Sequence, residues 1–346
     1  MSNFPLAPQS LMFAPMEGIT DDTYRKVVGR IYPEWDTYSC DFLRVPNPNP
    51  YPLKHVRKHF GVDFPQDLKA KSIYQILTSP GAYLEETVEQ VKSLGFHWID
   101  LNLGCPSKTV CKHRGGSYLL SELPELKKII LTIRNTFPGV FTCKIRVGYK
   151  DDHNFEDIIR LIQDCGADAV VIHARTRDEL YKGVAKWDYI KQATKVATIP
   201  VVGNGDIWTT EDIERYYDYT GCHSIMLARP ALKTPWMARL VKNKEQDSPE
   251  LRVKEICRYF MEFYKETESQ GIEEASRIRR LKSVSRYIFE GLPNEAAHKK
   301  SFLLSKTFED QMSVLEKLKI EVGLPIREDP SPISIDKKQS LQISHP

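Results

Sequence analysis

The chain alternates short apolar or β-branched runs with helix-periodic segments eight times before residue 230, and this alternation most constrains its fold. The eight runs are residues 11–14, 37–40, 72–77, 98–103, 141–147, 169–173, 200–203 and 224–227. In the intervals, apolar residues recur at spacings of three and four, for example Leu84, Val88, Val91 and Leu94. Strands that alternate with helices pair in parallel, so the pattern predicts an α/β fold, a (β/α)8 or TIM barrel.

Distinctive residues, most of them polar, fall where these strands are expected to end. Active sites of such barrels lie in the loops at the carboxyl ends of the strands, so we expect a site there. The residues at or near these ends are Ala14, Pro15, Met16, Gln75, Cys105, Lys144, Arg146, His173, Arg175, Asn204, Gly205, Asp206, Ala228 and Arg229.

Cys105 is the candidate for chemistry. It follows the strand predicted over residues 98–103, and Gly104 and Pro106 beside it predict a shaped turn. Its thiol would serve as a proton donor, as a nucleophile paired with His173, or as a metal ligand; the alternative is a buried small apolar residue. The spacing of Cys105, Cys111 and His113 matches no zinc pattern, so we expect no metal.

Two features point to a phosphorylated, anionic ligand. The loops after strands seven and eight, which often bind phosphate in barrels, carry Gly205 and Arg229. Lys144 inside the barrel mouth needs an anionic partner, either a reduced flavin ring or a carboxylate such as Asp100 or Asp206. The chain has no Gly-x-Gly-x-x-Gly fingerprint, which argues against a built-in Rossmann site for a nicotinamide.

Two connections are longer than the pattern requires. Residues 46–71 begin with four alternating prolines and continue with a basic segment, so we expect an extended loop, either a solvated connection or a binding element. Residues 106–118 make a long strand-to-helix connection, which we expect to act as a mobile lid.

Beyond residue 243 the pattern changes to helices alone. We expect a barrel domain over residues 1–243, a helical bundle domain over 244–324 and a disordered tail over 325–346. Residues 275–289 contain no acidic residue, and we expect a helix there that presents Arg279, Lys282 and Arg286 on one face. That face would be either solvated or bound to phosphates.

Composition indicates the cellular compartment and bears on which classes of partner to expect. The net charge of +3 is too small to argue for nucleic acid by itself. The seven cysteines lack paired spacing and the first residues show no signal segment, so we expect a reducing, cytoplasmic setting without disulfides. No apolar run approaches the roughly 18 residues of a membrane helix, so we expect no membrane partner.

Five motifs occur in the order and spacing of the tRNA-dihydrouridine synthases, which residues 11–243 therefore resemble. The motifs are residues 14–21 (APMEGITD), 100–106 (DLNLGCP), 144–148 (KIRVG), 172–176 (IHART) and 202–207 (VGNGDI). The helical region beyond them fits the second domain of that family in position and character.

The resemblance implies an FMN enzyme that reduces a uridine of tRNA to 5,6-dihydrouridine with NADPH as electron donor. Hydride would pass from flavin N5 to C6, and Cys105 would donate the proton to C5. The resemblance assigns cofactor binding to Ala14, Pro15, Met16, Gln75, Lys144, His173, Asn204, Gly205, Asp206, Ala228 and Arg229. It assigns uracil contacts to Asn102 and Arg175, and tRNA contacts to the basic helix with Arg279, Lys282 and Arg286. We expect a monomer.

Two departures from the family pattern are visible. Ala228-Arg229-Pro230 replaces the usual Gly-Arg-Gly, so one N–H toward a phosphate is missing at Pro230. Residues 116–118 (GSY) replace the more usual Gly-Ala pair. Two alternatives stay open: an FMN barrel that reduces a small-molecule alkene or pyrimidine, and an RNA-binding protein that has lost catalysis.

Overall fold

The structure is a computed structural model that describes residues 4–325. Nine parallel strands form its sheet. They are β1 (Ser10–Phe13), β2 (Thr37–Ser39), β3 (Leu43–Arg44), β4 (Ser72–Leu77), β5 (Trp98–Leu103), β6 (Val140–Arg146), β7 (Ala169–His173), β8 (Val201–Asn204) and β9 (Ser224–Leu227).

The sheet closes into the predicted barrel. β1 pairs with both β2 and β9, and β2 pairs with β4, so the ring has no free edge. β3 pairs with the far end of the same β4 edge, so β2 and β3 together fill one strand position, interrupted at residues 40–42. All eight predicted strands are confirmed, and those over residues 72–77, 98–103, 169–173 and 224–227 have the predicted bounds.

Helices cover the outside of the barrel and form the region beyond it. The helices that precede residue 244 are α1 (Asp22–Ile31), α2 (Leu53–Phe60), α3 (Gln66–Ala70), α4 (Leu84–Ser93), α5 (Lys108–Lys112), α6 (Leu123–Thr136), α7 (Phe155–Asp164), α8 (Asp188–Val196), α9 (Thr210–Thr220), α10 (Arg229–Lys233) and α11 (Met237–Asn243). The C-terminal region has α12 (Pro249–Ser269), α13 (Glu274–Val284), α14 (Glu295–Leu304) and α15 (Phe308–Glu321). None of the helices in this range is long and apolar enough to cross a membrane.

Two apolar clusters divide the barrel. The larger lies between the strands and the surrounding helices. The smaller contains Met12, Trp98, Val171 and Met226 and fills one part of the interior, since alternate residues of each strand point inward. The polar inward-facing residues nearer the strands' carboxyl ends are therefore separated from the opposite end by a packed plug.

The helical region packs against α1 and shares the larger apolar cluster. Tyr24 of α1 meets the rings of Tyr259 and Phe263 of α12 at 6.2 and 6.5 Å. Arg280 of α13 forms an ion pair with Asp21, the N-cap of α1. This packing holds the helical region beside the loop that follows β1.

The structure corrects two expectations, one about residues 46–71 and one about the helix expected over residues 275–289. Residues 46–71 do not form one extended loop, because α2 carries the basic segment and α3 follows it. Residues 106–118 contain α5 and the start of a 3-10 helix (Gly116–Ser121), and the mobile lid expected there stays a prediction. The helix expected over 275–289 ends at Val284. Helix α14 was not predicted, and residues 326–346 of the proposed tail lie outside the described residues.

Candidate active site

A cavity of about 780 Å³ opens at the carboxyl ends of the strands, where the barrel argument places a site. Most of the predicted site residues line it: Ala14, Pro15, Met16, Gln75, Asn102, Cys105, Lys144, His173, Asn204, Gly205, Asp206, Ala228, Arg229 and Arg286. Arg175, Arg279 and Lys282 are not among the lining residues. The lining also includes Arg146, which was expected near a strand end but given no role, and Phe42, Tyr181, Ser283 and Tyr287, which the sequence analysis did not single out.

Strand register explains why distant residues meet in this cavity. Asn102 of β5 lies opposite Lys144 of β6, and Arg146 of β6 lies opposite His173 of β7. Alternate residues of a strand share one face, so Lys144 and Arg146 both point inward. Arg146 was visible as an inward-facing cation by this alternation, whereas the contribution of Ser283 and Tyr287 depends on how the helical region packs.

The loop after β5 presents Cys105 from a backbone held on both sides. Asn102 Oδ1 accepts hydrogen bonds from the backbone N–H groups of Gly104 (3.1 Å) and Cys105 (2.9 Å). Ser117 Oγ donates to the Cys105 carbonyl at 2.8 Å, and Arg146 Nε donates to the Gly104 carbonyl at 2.9 Å. The backbone of Cys105 is thereby fixed by side chains from β5 and from the 3-10 helix.

Gly116 allows this loop to close on itself. Its φ is +59°, and a Cβ there would lie 2.9 Å from Val110 Cγ1 and 3.2 Å from Cys105 Cβ. Any other residue at position 116 would therefore strain the backbone and push against Cys105.

The Cys105 thiol is protonated at neutral pH. Burial raises its pKa above the ordinary value, which the backbone N–H of Ser107 and the cation of Arg146 offset only in part. The half-buried thiol lines the cavity. It is therefore suited to give a proton rather than to act as a thiolate nucleophile.

A buried hydrogen-bond network lies beneath this loop. Asn102 Nδ2 donates to Gln75 Oε1 (2.8 Å), and Gln75 Nε2 donates to Asp100 Oδ2 (2.7 Å). Thr142 Oγ1 donates to Asp100 Oδ1 (2.6 Å) and accepts from the indole N–H of Trp98 (3.1 Å). The network runs from the interior of the barrel to the cavity wall.

Lys144 lies in the cavity wall without a direct counter-ion. Among residues 4–325 no carboxylate lies within ion-pair distance of its Nζ; Asp100 attracts it from farther away. Burial lowers the pKa of Lys144 to about 8, and burial raises the pKa of Asp100 to about 6. Neither Asp100 nor Asp206 therefore forms an ion pair with Lys144, as the sequence analysis had allowed. The Lys144 ammonium remains available to an anion in the cavity.

Asp206 holds two arginines on the opposite wall. Both terminal nitrogens of Arg175 donate to its carboxylate, and Arg229 donates to Oδ1 at 3.0 Å. The Arg175 side chain is only 2% exposed and also bonds the carbonyls of Lys182 and Gly183. The structure thus places Arg175 behind the wall, where it contacts two cavity-lining residues, Asp206 and, at 3.5 Å, His173 Nε2.

The loops after β8 and β9 fit the expected phosphate. Within the described part of the chain, no carbonyl accepts a hydrogen bond from the backbone N–H of Gly205, Asp206 or Arg229. A Cβ on Gly205, whose φ is +126°, would lie 2.9 Å from Ala185 Cβ and 3.3 Å from the His173 ring. Free N–H groups beside an arginine form a suitable anion site. Pro230, the second residue of α10, adds no N–H.

His173 adds a neutral donor to this wall. Burial and the cations Arg146, Lys144, Arg175 and Arg229 hold its pKa well below the ordinary range. The imidazole is therefore uncharged at neutral pH and can donate an N–H. The same surrounding cations make this part of the cavity favourable for an anion.

The basic residues of the helical region do not form the single face that we expected. Arg286, beyond the end of α13, lines the cavity, whereas Arg279 is exposed on α13 and donates to Ser276 Oγ at 2.7 Å. Lys282 Nζ donates to the carbonyl of Ser305. The early end of α13 turns Arg286 away from the other two.

The described residues contain no group of three or more His, Cys, Asp or Glu side chains that could hold a metal ion. All seven cysteines are free thiols.

Comparisons with known proteins give one consistent family. A profile described as dihydrouridine synthase matches residues 12–322. The tRNA-dihydrouridine(16) synthase of Cupriavidus necator is 30% identical over 83% of this chain and 98% of that protein. The enzyme of the same name from Pseudomonas syringae pv. tomato is 35% identical over 67% of this chain and 74% of that protein.

A solved structure supports the fold alone. The 2-naphthoyl-CoA reductase in complex with 2-naphthoyl-CoA superposes with a TM-score of 0.52 and 11% identity. The match covers 70% of this chain and 51% of that chain.

Proposed function

The chain belongs to the dihydrouridine synthase family, and from that membership we propose that it reduces uridine 16 of tRNA, with FMN as bound cofactor and NADPH as electron donor. An enzyme that reduces uridine in tRNA follows from the family itself. Position 16 is taken from the names of the similar relatives. This function replaces the two alternatives left open by the sequence, a small-molecule reductase and an RNA-binding protein without catalysis.

One observation carries the proposal: a protonated thiol and an anion-binding wall share one cavity. Cys105 lies at the end of β5, and the free N–H groups of Gly205 and Arg229 lie after β8 and β9. The cavity volume of about 780 Å³ falls within the roughly 300–1,000 Å³ of ligand sites.

The cavity residues fit FMN. Gly205, Asp206 and Arg229 would hold the phosphate, with the neutral His173 beside it. Ala14, Pro15 and Met16 offer an apolar wall to a ring, and Gln75 and Lys144 offer polar groups to its edge; Asn204 and Ala228 complete the lining. Bound and reduced, FMN would supply the hydride that C6 of the uracil requires.

The protein itself supplies the proton. Hydride addition at C6 develops negative charge toward C5, and Cys105 would protonate C5 because its thiol is kept neutral by burial. Asn102 holds the Cys105 backbone and reaches the cavity, where a uracil edge would meet it. Arg175 would act indirectly, by fixing Asp206.

The RNA would be held across the two regions. A uridine must leave the stack to enter a barrel mouth, so the enzyme must bind the rest of the tRNA outside the cavity. We assign this role to the helical region, residues 244–324, with Arg286 at the cavity rim and Arg279 and Lys282 farther out. Because one chain supplies every wall of the cavity, we propose a monomer as the active unit.

The test is to map dihydrouridine in tRNA from cells with and without this protein, and then in cells carrying Cys105→Ala. We expect position 16 to lose dihydrouridine without the protein. Removal of a general acid should slow tRNA reduction by about 10² to 10⁴-fold in the purified variant. Cys111→Ala is the matched control, since Cys111 is a buried cysteine six residues away, in α5. An unchanged position 16, or full activity of Cys105→Ala, would contradict the proposal.

A further inference from the structure

We infer that Asp100 is a positioning residue for the Cys105 thiol: its carboxylate sets the direction of a hydrogen-bond chain that runs through Gln75 and Asn102 to the Cys105 backbone. The inference deepens the proposed function and rests on it, since it concerns how the proposed proton donor is held. Asp100 is not among the cavity-lining residues, so any effect on the thiol must pass through its neighbours.

The two ends of this hydrogen-bond chain permit only one direction of donation. At one end stand the backbone N–H groups of Gly104 and Cys105, which can only donate. At the other end stands the indole N–H of Trp98, which also can only donate. Donation from both ends must converge on a group that accepts twice.

Asp100 is that group. Because Asn102 Oδ1 accepts from the loop, its NH2 must face Gln75, whose oxygen accepts and whose NH2 must then donate to Asp100. From the other side, Thr142 accepts from Trp98 and donates its hydroxyl proton to Asp100. An ionised carboxylate accepts at both oxygens, and a neutral amide of the same shape cannot.

Burial makes this direction matter. Gln75, Asp100 and Thr142 are at most 2% exposed and Asn102 is 9% exposed, so water cannot replace a lost bond cheaply. If the carboxylate became an amide, position 100 would accept on one side only: either Gln75 would lose its acceptor or turn over, or the Thr142 hydroxyl would lose its acceptor instead. A reversed Gln75 would turn Asn102 as well and aim its NH2 at the N–H groups of Gly104 and Cys105.

The hydrogen bonds from Thr142 and Gln75 compensate most of the buried charge on Asp100, and Lys144 adds a smaller attraction. Lys144 lies opposite Asn102 in the neighbouring strand and attracts the carboxylate without touching it. The cation thus helps to keep Asp100 ionised while its ammonium stays at the cavity wall. The same arrangement leaves both oxygens of Asp100 free for Gln75 and Thr142.

The experiment moves the group that accepts twice from position 100 to position 75, the next residue of the hydrogen-bond chain. Asp100→Asn removes it, whereas the double variant Asp100→Asn with Gln75→Glu restores it at position 75. In the double variant the new carboxylate accepts from the amide introduced at position 100 and from Asn102, and the amide of Asn102 keeps its original direction. Thr142→Val is the matched control, because it removes the bond on the far side of Asp100 and leaves the path to Cys105 intact.

The readout is the rate at which iodoacetamide alkylates Cys105 in the full chain as purified, followed across pH by mass spectrometry. Trypsin cleavage after Lys108 separates Cys105 from Cys111, so the two thiols are resolved. The kcat and KM for tRNA reduction are measured beside it. We expect Asp100→Asn to shift the alkylation profile and lower kcat about tenfold or more while KM for tRNA stays within about twofold. The double variant should return the alkylation profile toward that of the wild type, and Thr142→Val should match the wild type.

A double variant no better than Asp100→Asn, or an Asp100→Asn variant with wild-type alkylation, would overturn the inference. Loss with Thr142→Val as large as with Asp100→Asn would show a packing effect and overturn it too. If Asp100→Asn does not fold, Gln75→Leu takes its place, since it breaks the hydrogen-bond chain; because Gln75 also lines the cavity, this variant and the wild type are then compared with FMN at saturation. Wild-type protein that forms no dihydrouridine would defeat the proposed function, while the alkylation profiles would still decide the inference.

Discussion

The barrel side and the helical side of the cavity hold their cations differently. On the barrel side Arg175 is buried in an ion pair, Arg229 shares the same carboxylate, and Lys144 is held in the wall near Asp100. On the helical side Arg286 is exposed, and within the described range no carboxylate lies within 4 Å of its guanidinium. Buried, paired groups keep a fixed position, whereas an exposed cation adapts to its partner. This difference supports the proposal that the barrel side binds one small ligand and the helical side a phosphate backbone.

The largest expected effect on ligand binding concerns the barrel side of the cavity. Arg229→Gln should weaken FMN binding by about 10 to 100-fold, because charge-assisted hydrogen bonds contribute roughly 1.5–3 kcal/mol. Titration of the apoprotein by flavin fluorescence measures this. Riboflavin, which lacks the phosphate, is the control ligand, and its affinity should change little. Equal losses for FMN and riboflavin would show that Arg229 does not bind the phosphate.

A smaller effect concerns pH. The pKa of Lys144 is lowered to about 8 by burial, so the free protein loses this charge as the pH rises through 8. A bound anion favours the charged form and raises that pKa, so FMN affinity should fall above pH 8, by up to about tenfold per pH unit. Lys144→Arg should flatten this fall, because arginine stays protonated. The same fluorescence titration between pH 7 and 9.5 measures it, and a fall that persists in Lys144→Arg would assign it to another group.

The smallest expected effect on ligand binding concerns the helical side of the cavity. Arg286→Gln should weaken tRNA binding about three- to tenfold and lower the slope of log affinity against log salt by about 0.7–0.9, the share of one phosphate contact. Filter binding at several salt concentrations measures both. Arg279→Gln is the matched control on α13 and should have a smaller effect, since Arg279 does not line the cavity. A larger effect at Arg279 would move the main RNA contact away from the cavity rim.

Sequence patterns predicted the parts of the site that depend on strand ends. The inward direction of Gln75, Asn102, Lys144 and His173 follows from the two-residue period of a strand, which local sequence expresses directly. The loop glycine at position 205 was equally readable, because a close approach of backbone to ligand requires glycine. These residues were expected at the cavity and lie there.

The errors occurred where one element meets another distant in sequence. Arg175 was expected at the uracil, but Asp206, 31 residues away, holds it behind the wall. Arg279, Lys282 and Arg286 were expected on one helix face, but α13 ends at Val284 and Arg286 turns to the cavity. Helical spacing cannot show where a helix stops when no glycine or proline marks its end.

By itself the sequence determined the barrel, its eight strand positions and the identity of the cysteine at the end of β5, because hydrophobic period and turn residues are local properties. Only the tertiary structure decided which cations are free, which are paired, and that Asp100 joins Gln75 to Thr142. Pairing depends on the distance between side chains from different strands and helices. That distance is set when the whole barrel closes and the helical region packs against α1.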